Sequence, residues 1–153
     1  MFKLNIIMED LKWRKEVPTI EKMLKKNFKK IYSSIDITSK KKNLEVSVLL
    51  TNKTKMKKLN KDFRRILKDT DVLSFPNHEK NFFLKKKASS INKIYLGDLA
   101  FSYDYIKNQN TNFVEYVNKI FIHGCLHLIG YEHDNLKNYK EMHSLERKIL
   151  TII

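Results

Sequence analysis

Three histidines within eleven residues carry the most chemistry in this sequence. His123, His127 and His133 stand in the run His123-Gly124-Cys125-Leu126-His127-Leu128-Ile129-Gly130-Tyr131-Glu132-His133, a spacing of H-x-x-x-H-x-x-G-x-x-H. On a helix, residues four apart share one face, one turn above the other. His123 and His127 therefore offer their imidazoles to one point. Glycine tolerates the left-handed conformations that turn a chain sharply, so Gly130 can return His133 to the same point. Three neutral imidazoles leave one tetrahedral position of Zn²⁺ open, the arrangement of a catalytic rather than a structural zinc. Imidazole also suits nickel, copper and iron, so zinc is the expected metal rather than the only one. Buried, hydrogen-bonded histidines are the bland alternative. It suits a single histidine better than three with a glycine at these spacings.

The same spacing occurs in the metzincin proteases, where a glutamate follows the first histidine as general base. Here Gly124 stands in that place and has no side chain to move a proton, so the proteolytic apparatus is incomplete. Cys125 is a poor fourth ligand, because two helical positions from each histidine amount to about 200° around the axis. It reads as a small core residue.

These residues need a scaffold, and the rest of the chain supplies one. At 153 residues the chain fits one domain, spanning 1–153. Cys125 is the only cysteine, which excludes a disulfide-built scaffold and suggests a reducing compartment, the cytoplasm. No apolar run approaches a membrane span, and the first ten residues lack the long apolar stretch of a signal peptide. Phe2 to Ile7 reads as a strand. An amphipathic helix follows, with Ile20, Met23, Leu24, Phe28 and Ile31 on its apolar stripe. Leu44, Val46, Val48 and Leu50 alternate with Glu45 and Ser47 as in a half-buried strand. Thr54 to about Arg64 is helical in composition. Asp71–Phe75 is a strand stopped by Pro76, 77–92 a polar, lysine-rich loop, and Ile94–Phe101 a strand interrupted at Gly97-Asp98. Asn112 and Glu115 form a cap-x-x-Glu start to a helix that runs to Gly130. A last helix spans about Asn135 to Leu150, with Tyr139, Met142, Leu145 and Ile149 facing inward. Strands come early and helices late, which gives an α+β class with some mixing.

The balance of 31 basic against 17 acidic residues leaves a formal charge of +14. Such an excess points to a polyanionic partner, nucleic acid first, because neutralised phosphates release counterions. Only four of the 31 are arginines, and a lysine-, asparagine- and isoleucine-rich composition is also what an AT-rich genome produces without any partner. The lysine runs Lys40-Lys41-Lys42 and Lys85-Lys86-Lys87 read as exposed loops. Among so few arginines, the adjacent Arg64-Arg65 stands out. By itself Arg64 reads as a surface or capping arginine.

Three segments together closely resemble the YbeY family of bacterial rRNA-maturation endoribonucleases. The histidine run resembles that family's H-G-x-L-H-L-x-G-Y-D-H signature, with Glu132 where the family usually carries aspartate. Leu59-Asn60-Lys61-Asp62-Phe63-Arg64 and Thr70-Asp71-Val72-Leu73-Ser74-Phe75-Pro76 resemble its L-N-x-x-[YF]-R and T-D-V-L-S-F-P segments. Leu96-Gly97-Asp98-Leu99-Ala100-Phe101-Ser102 resembles its L-G-D-I-x-I-S strand. The resemblance runs from about residue 59 to 146. It implies a mixed sheet of about four strands flanked by helices, with a zinc site of His123, His127 and His133 on the central helix and the turn after it. It also implies a single-strand-specific endoribonuclease that acts in maturation of the 16S rRNA 3′ end and in ribosome quality control. Arg64 matches the family's functionally important arginine.

On this reading Arg64 clamps the phosphate of single-stranded rRNA through its planar guanidinium and offsets charge that builds in the transition state. Arg65 is a weaker RNA contact. Glu132 and Asp134 flank His133, as bases or equally as orienting and capping groups; Asp134 could cap the last helix. The expected partners are single-stranded rRNA and the ribosomal small subunit, with no membrane and no DNA. The rival class is a zinc-stabilised ribosome-binding assembly module without nuclease activity.

Overall fold

The computed structural model describes residues 1–35, 43–83 and 91–153. Both lysine runs read as loops fall in whole or in part outside those residues. The chain begins with β1 (Phe2–Met8), a short helix α1 (Lys12–Glu16) and α2 (Ile20–Ser33), then returns to the sheet as β2 (Asn43–Thr51). Next come α3 (Lys53–Arg64), β3 (Val72–Pro76), β4 (Lys93–Ser102) and a short α4 (Tyr103–Lys107). Two long helices, α5 (Phe113–Leu128) and α6 (Leu136–Leu150), complete it. The sequence reading locates all of these except the five-residue helices α1 and α4, which are too short to show a period.

The described residues form one four-stranded mixed sheet of order β1-β2-β4-β3, within a single α+β domain. β1 and β4 both run parallel to β2, and β3 is antiparallel to β4. Side chains alternate across this sheet. Leu44, Val46, Val48 and Leu50 face a large core with Ile20, Leu24 and Phe28 of α2 and Phe121, Cys125 and Leu128 of α5. Leu73 and Ala100 face the opposite side, where Met56 of α3 covers them and Leu49, Leu59 and Phe75 pack around them. Trp13 anchors the first crossover. It is fully buried, and its indole N–H donates to the Thr51 carbonyl at 2.8 Å.

The break expected at Gly97-Asp98 is a β-bulge within a continuous strand. Glu45 pairs with Tyr95 but Val46 with Gly97, so Leu96 is an extra residue on β4. The bulge reverses the parity of the strand. Ile94 and Leu96 before it and Leu99 and Phe101 after it then reach the same core. Gly97 has φ +137°, and a Cβ there would collide with the Phe75 carbonyl. Pro76 is the last residue of β3, paired opposite Gly97, rather than the residue that follows the strand. It is tolerated because β3 is an edge strand. In α6, Met142 and Ile149 are buried and Leu145 is partly so, but Tyr139 is exposed. It stacks on His143 (centroids 5.6 Å, 7°) instead of facing inward, and no element among the described residues covers it.

Candidate metal centre and cleft

α5 positions two of the three histidines. Asn112 caps it by accepting from the Glu115 N–H at 3.1 Å, as the cap-x-x-Glu pattern predicts. Its far end closes in a Schellman arrangement. The Tyr131 N–H donates to the Leu126 carbonyl and the Gly130 N–H to the His127 carbonyl, both at 3.1 Å. Gly130 takes φ +100°, and a Cβ there would stand 2.5 Å from the Lys80 carbonyl oxygen. Only glycine fits both the turn and the loop packed on it. The turn carries His133 back to the helix, and one ligand atom from each of His123, His127 and His133 lies within 4.8 Å of the others.

Hydrogen bonds fix the tautomers of the two helical histidines. The His127 Nδ1–H donates to the Tyr131 carbonyl at 2.8 Å, an oxygen that only accepts. The His123 Nδ1–H donates to Glu146 Oε1 at 2.9 Å. A neutral imidazole carries one proton, so both Nε2 atoms are then bare lone pairs. They face each other at 3.0 Å. Two lone pairs at that distance repel unless a cation lies between them. Two nitrogens at about 2.0–2.1 Å from one tetrahedral ion stand about 3.3 Å apart, close to the separation observed. The donor set therefore fits a metal ion. Burial, and next the neighbouring His123, lower the His127 pKa, which favours the neutral form a metal requires.

The histidines line a cleft of about 980 Å³. One wall is the α5 stripe Tyr116, Lys119, Ile120, His123 and His127. The other is β3 together with Phe63 and Arg64 at the end of α3. Arg64 thus shares the cleft with the three histidines. Arg65 does not line it. Its φ of 59° makes it the left-handed cap of α3, with its N–H donating to the Lys61 carbonyl at 2.9 Å.

Every carboxylate lining the cleft is engaged. Asp71 accepts from the Tyr116 hydroxyl at 2.8 Å and the Val72 N–H at 2.7 Å. Burial and that bond to Asp71 push the Tyr116 pKa well up. Glu132 pairs with Lys80 at 3.4 Å, and Glu146 holds His123. The cations Arg64 and Lys119 form no ion pair among the described residues. Both cations thus stand without an ion-pair partner among the described residues, in a cleft whose three carboxylates are each held by another group. Asp134 lies outside it and accepts from Asn138 Nδ2 at 2.8 Å, a bond that lowers its pKa. The side-chain cap of α6 is its neighbour Asn135, which accepts from the Asn138 N–H at 2.8 Å.

Gly124 faces the sheet. A Cβ there would lie 2.9 Å from Leu99 Cδ2 and 3.4 Å from Ser74 Oγ. A side chain at the position of the protease glutamate would meet Leu99 of β4, which would have to give way to it. Cys125 is buried in the core, its thiol pKa pushed up by burial, and its carbonyl accepts from the Tyr32 hydroxyl at 2.7 Å.

Sequence reasoning missed Glu146, Tyr116 and Lys119. Signals existed for each. Glu146 is a carboxylate four residues after the inward-facing Met142, on the buried face of α6. Tyr116 and Lys119 precede His123 by seven and four residues, the helical spacing that puts them on its stripe.

The sequence model of the family described as Endoribonuclease YbeY matches residues 8–153. The chain is 40% identical over 149 residues to Endoribonuclease YbeY of Pelagibacter ubique (strain HTCC1062), covering 93% of this chain and 90% of that protein. It is also similar to the solution structure of TM1509 from Thermotoga maritima, with a TM-score of 0.59 and 26% identity, covering 96% of this chain and 86% of that one.

Proposed function

The chain belongs to the endoribonuclease YbeY family, and from that premise we propose that it is a metal-dependent endoribonuclease acting on single-stranded RNA. Zinc is its metal, held by His123, His127 and His133. The observation that carries this reading is the pair of facing Nε2 atoms, 3.0 Å apart, in one cleft with Arg64, which has no ion-pair partner among the described residues. A bound zinc supplies Lewis acidity at that point. Arg64 holds the phosphodiester by its planar fork and offsets charge on the phosphoryl oxygens as the bond breaks. Lys119, on the facing wall, adds a second positive charge. Glu146 and the Tyr131 carbonyl hold the imidazoles with their Nε2 atoms aimed into the cleft. The substrate is the 3′ region of 16S rRNA, met on the small ribosomal subunit in the cytoplasm.

A second reading has its own support. Since each carboxylate lining the cleft is already bonded, none among the described residues stands free as a general base beside the histidines. A zinc-stabilised ribosome-binding module without nuclease activity would need none.

End-labelled single-stranded rRNA fragments distinguish the two. The purified protein cleaves them and a His127→Ala variant prepared in parallel does not. Arg64→Ala lowers turnover by about 100-fold or more while retaining its zinc. Equal cleavage by wild type and His127→Ala, or none by either, overturns the nuclease assignment in favour of the binding module. Loss of zinc or of folding in Arg64→Ala makes Arg64 structural.

A further inference from the structure

Phe63 is a large apolar residue that remains 66% exposed although it lines the cleft beside Arg64. It belongs to neither buried cluster, so core packing does not explain it. Its ring is nevertheless held in place. It leans on Phe75 with centroids 4.8 Å apart and planes at 59°. The turn that carries it is also fixed. Asn60 is buried and donates from Nδ2 to the Lys68 carbonyl at 2.9 Å, and Arg65 closes the helix in its left-handed cap. A ring held in this way offers an apolar face on which a flat partner can stack.

The surroundings specify that partner. α3 carries Lys53, Lys55, Lys57, Lys58 and Lys61, none of them in an ion pair among the described residues. The next residue after Phe63 is the cleft arginine. A flat apolar face beside the Arg64 guanidinium, on a helix that carries five lysines, matches an unpaired nucleobase on its phosphate backbone. Phe63 and Phe75 also line a groove of about 480 Å³ on the α3 side of the sheet, with Leu49, Leu59 and Ala100 on its wall. The two rings therefore form the ridge between the cleft and an apolar recess.

We propose that Phe63 is the stacking platform for the nucleobase adjacent to the phosphodiester held at Arg64, which rests on the endoribonuclease reading above. A base in a duplex has both faces covered by its neighbours and is unavailable to such a ring. The platform thereby selects single strands, and it tolerates any base, since each has a π-face. It positions the substrate and takes no part in bond breaking.

The test compares wild type, Phe63→Ala and Phe63→Trp. The probes are a dye-labelled oligoadenylate hexamer and an abasic ribose-phosphate backbone of the same length, read by anisotropy before turnover. Phe63→Ala loses about 10- to 100-fold in affinity for oligoadenylate and little for the abasic backbone. Phe63→Trp retains affinity. The chain's other tryptophan, Trp13, is fully buried, so the introduced indole reports directly, and oligoadenylate quenches it where the abasic backbone does not. Equal affinity of Phe63→Ala and wild type for oligoadenylate, or an equal loss for both probes, overturns the platform. So does an indole quenched by both probes alike. If wild type cleaves RNA while these variants behave in that way, only the platform falls. If wild type neither binds nor cleaves RNA, the functional reading falls with it.

Discussion

Each of the two helical histidines spends one nitrogen on the protein and leaves the other for the cleft. Their partners differ: His127 Nδ1 bonds a backbone carbonyl, and His123 Nδ1 bonds a carboxylate 23 residues away on another helix. A carboxylate behind an imidazole fixes its ring and raises its basicity. Replacing it by the isosteric amide keeps a hydrogen-bond acceptor but removes the charge. Glu146→Gln is therefore expected to weaken zinc binding by about 10- to 100-fold, measured by competition with a chromophoric chelator, with the circular dichroism spectrum unchanged. An affinity equal to wild type would make Glu146 a tie between α5 and α6 and nothing more. The pairing of His123 with His127 was legible because i, i+4 proximity is a property of any helix. Glu146 was not, because a glutamate on an inward helix face has no unique reading until the facing helix is known.

The elements are held in register by groups that sit outside the cleft. Glu45 on β2 ties together all three parallel strands. It accepts from Asn5 Nδ2 at 2.8 Å and pairs with Lys3 of β1 at 3.1 Å and Lys93 of β4 at 3.3 Å. The Asn5 hydrogen bond first, and then the lysines, pull its pKa from the ordinary 4.5 down to about 2. A depressed carboxylate stabilises the fold above its unfolded pKa, and that stabilisation disappears as pH falls through the folded one. Thermal melts between pH 5 and pH 2 should therefore show wild type losing more of its melting temperature than Glu45→Gln. Parallel slopes in the two proteins would show that the strand tie carries no pH dependence. Element positions were legible wherever burial imposed a period, as in β2 and α5. They were illegible at the bulge in β4. There one extra residue reverses which side chains face the core, and only pairing with β2 reveals it.

At the scale of the whole molecule, the proposed metal site joins parts that the chain keeps separate. His123 and His127 belong to α5 and His133 to the turn beyond it, while Glu146 brings in α6. A ligand that binds only the native state stabilises it by about 2.7 kcal/mol at a hundred times its dissociation constant. For a domain of this size that corresponds to about 5–10 °C in melting temperature. Chelation should lower the melting temperature by roughly that amount, and titrated zinc should restore it. His133→Ala should lose most of this response. A melting temperature indifferent to chelator and zinc would remove the metal from the account of stability.

The sequence by itself determined what local geometry governs. It set the helical pair His123 and His127, the glycine turn that returns His133, the Asn112 cap, and the alternation that makes β2 a half-buried strand. These follow from backbone periodicity and from the φ values that glycine alone adopts freely. Tertiary structure decided what lies between distant segments. Arg64 entered through a resemblance in sequence. Its place in the same cleft as residues some sixty positions later depends on α3 and α5 reaching the cleft from opposite sides of the sheet. The tertiary structure likewise set Gly124 against Leu99 of the sheet and left Tyr139 in solvent. It also left the Phe63 ring uncovered. Periodicity states which residues share a face, whereas packing alone states what that face meets.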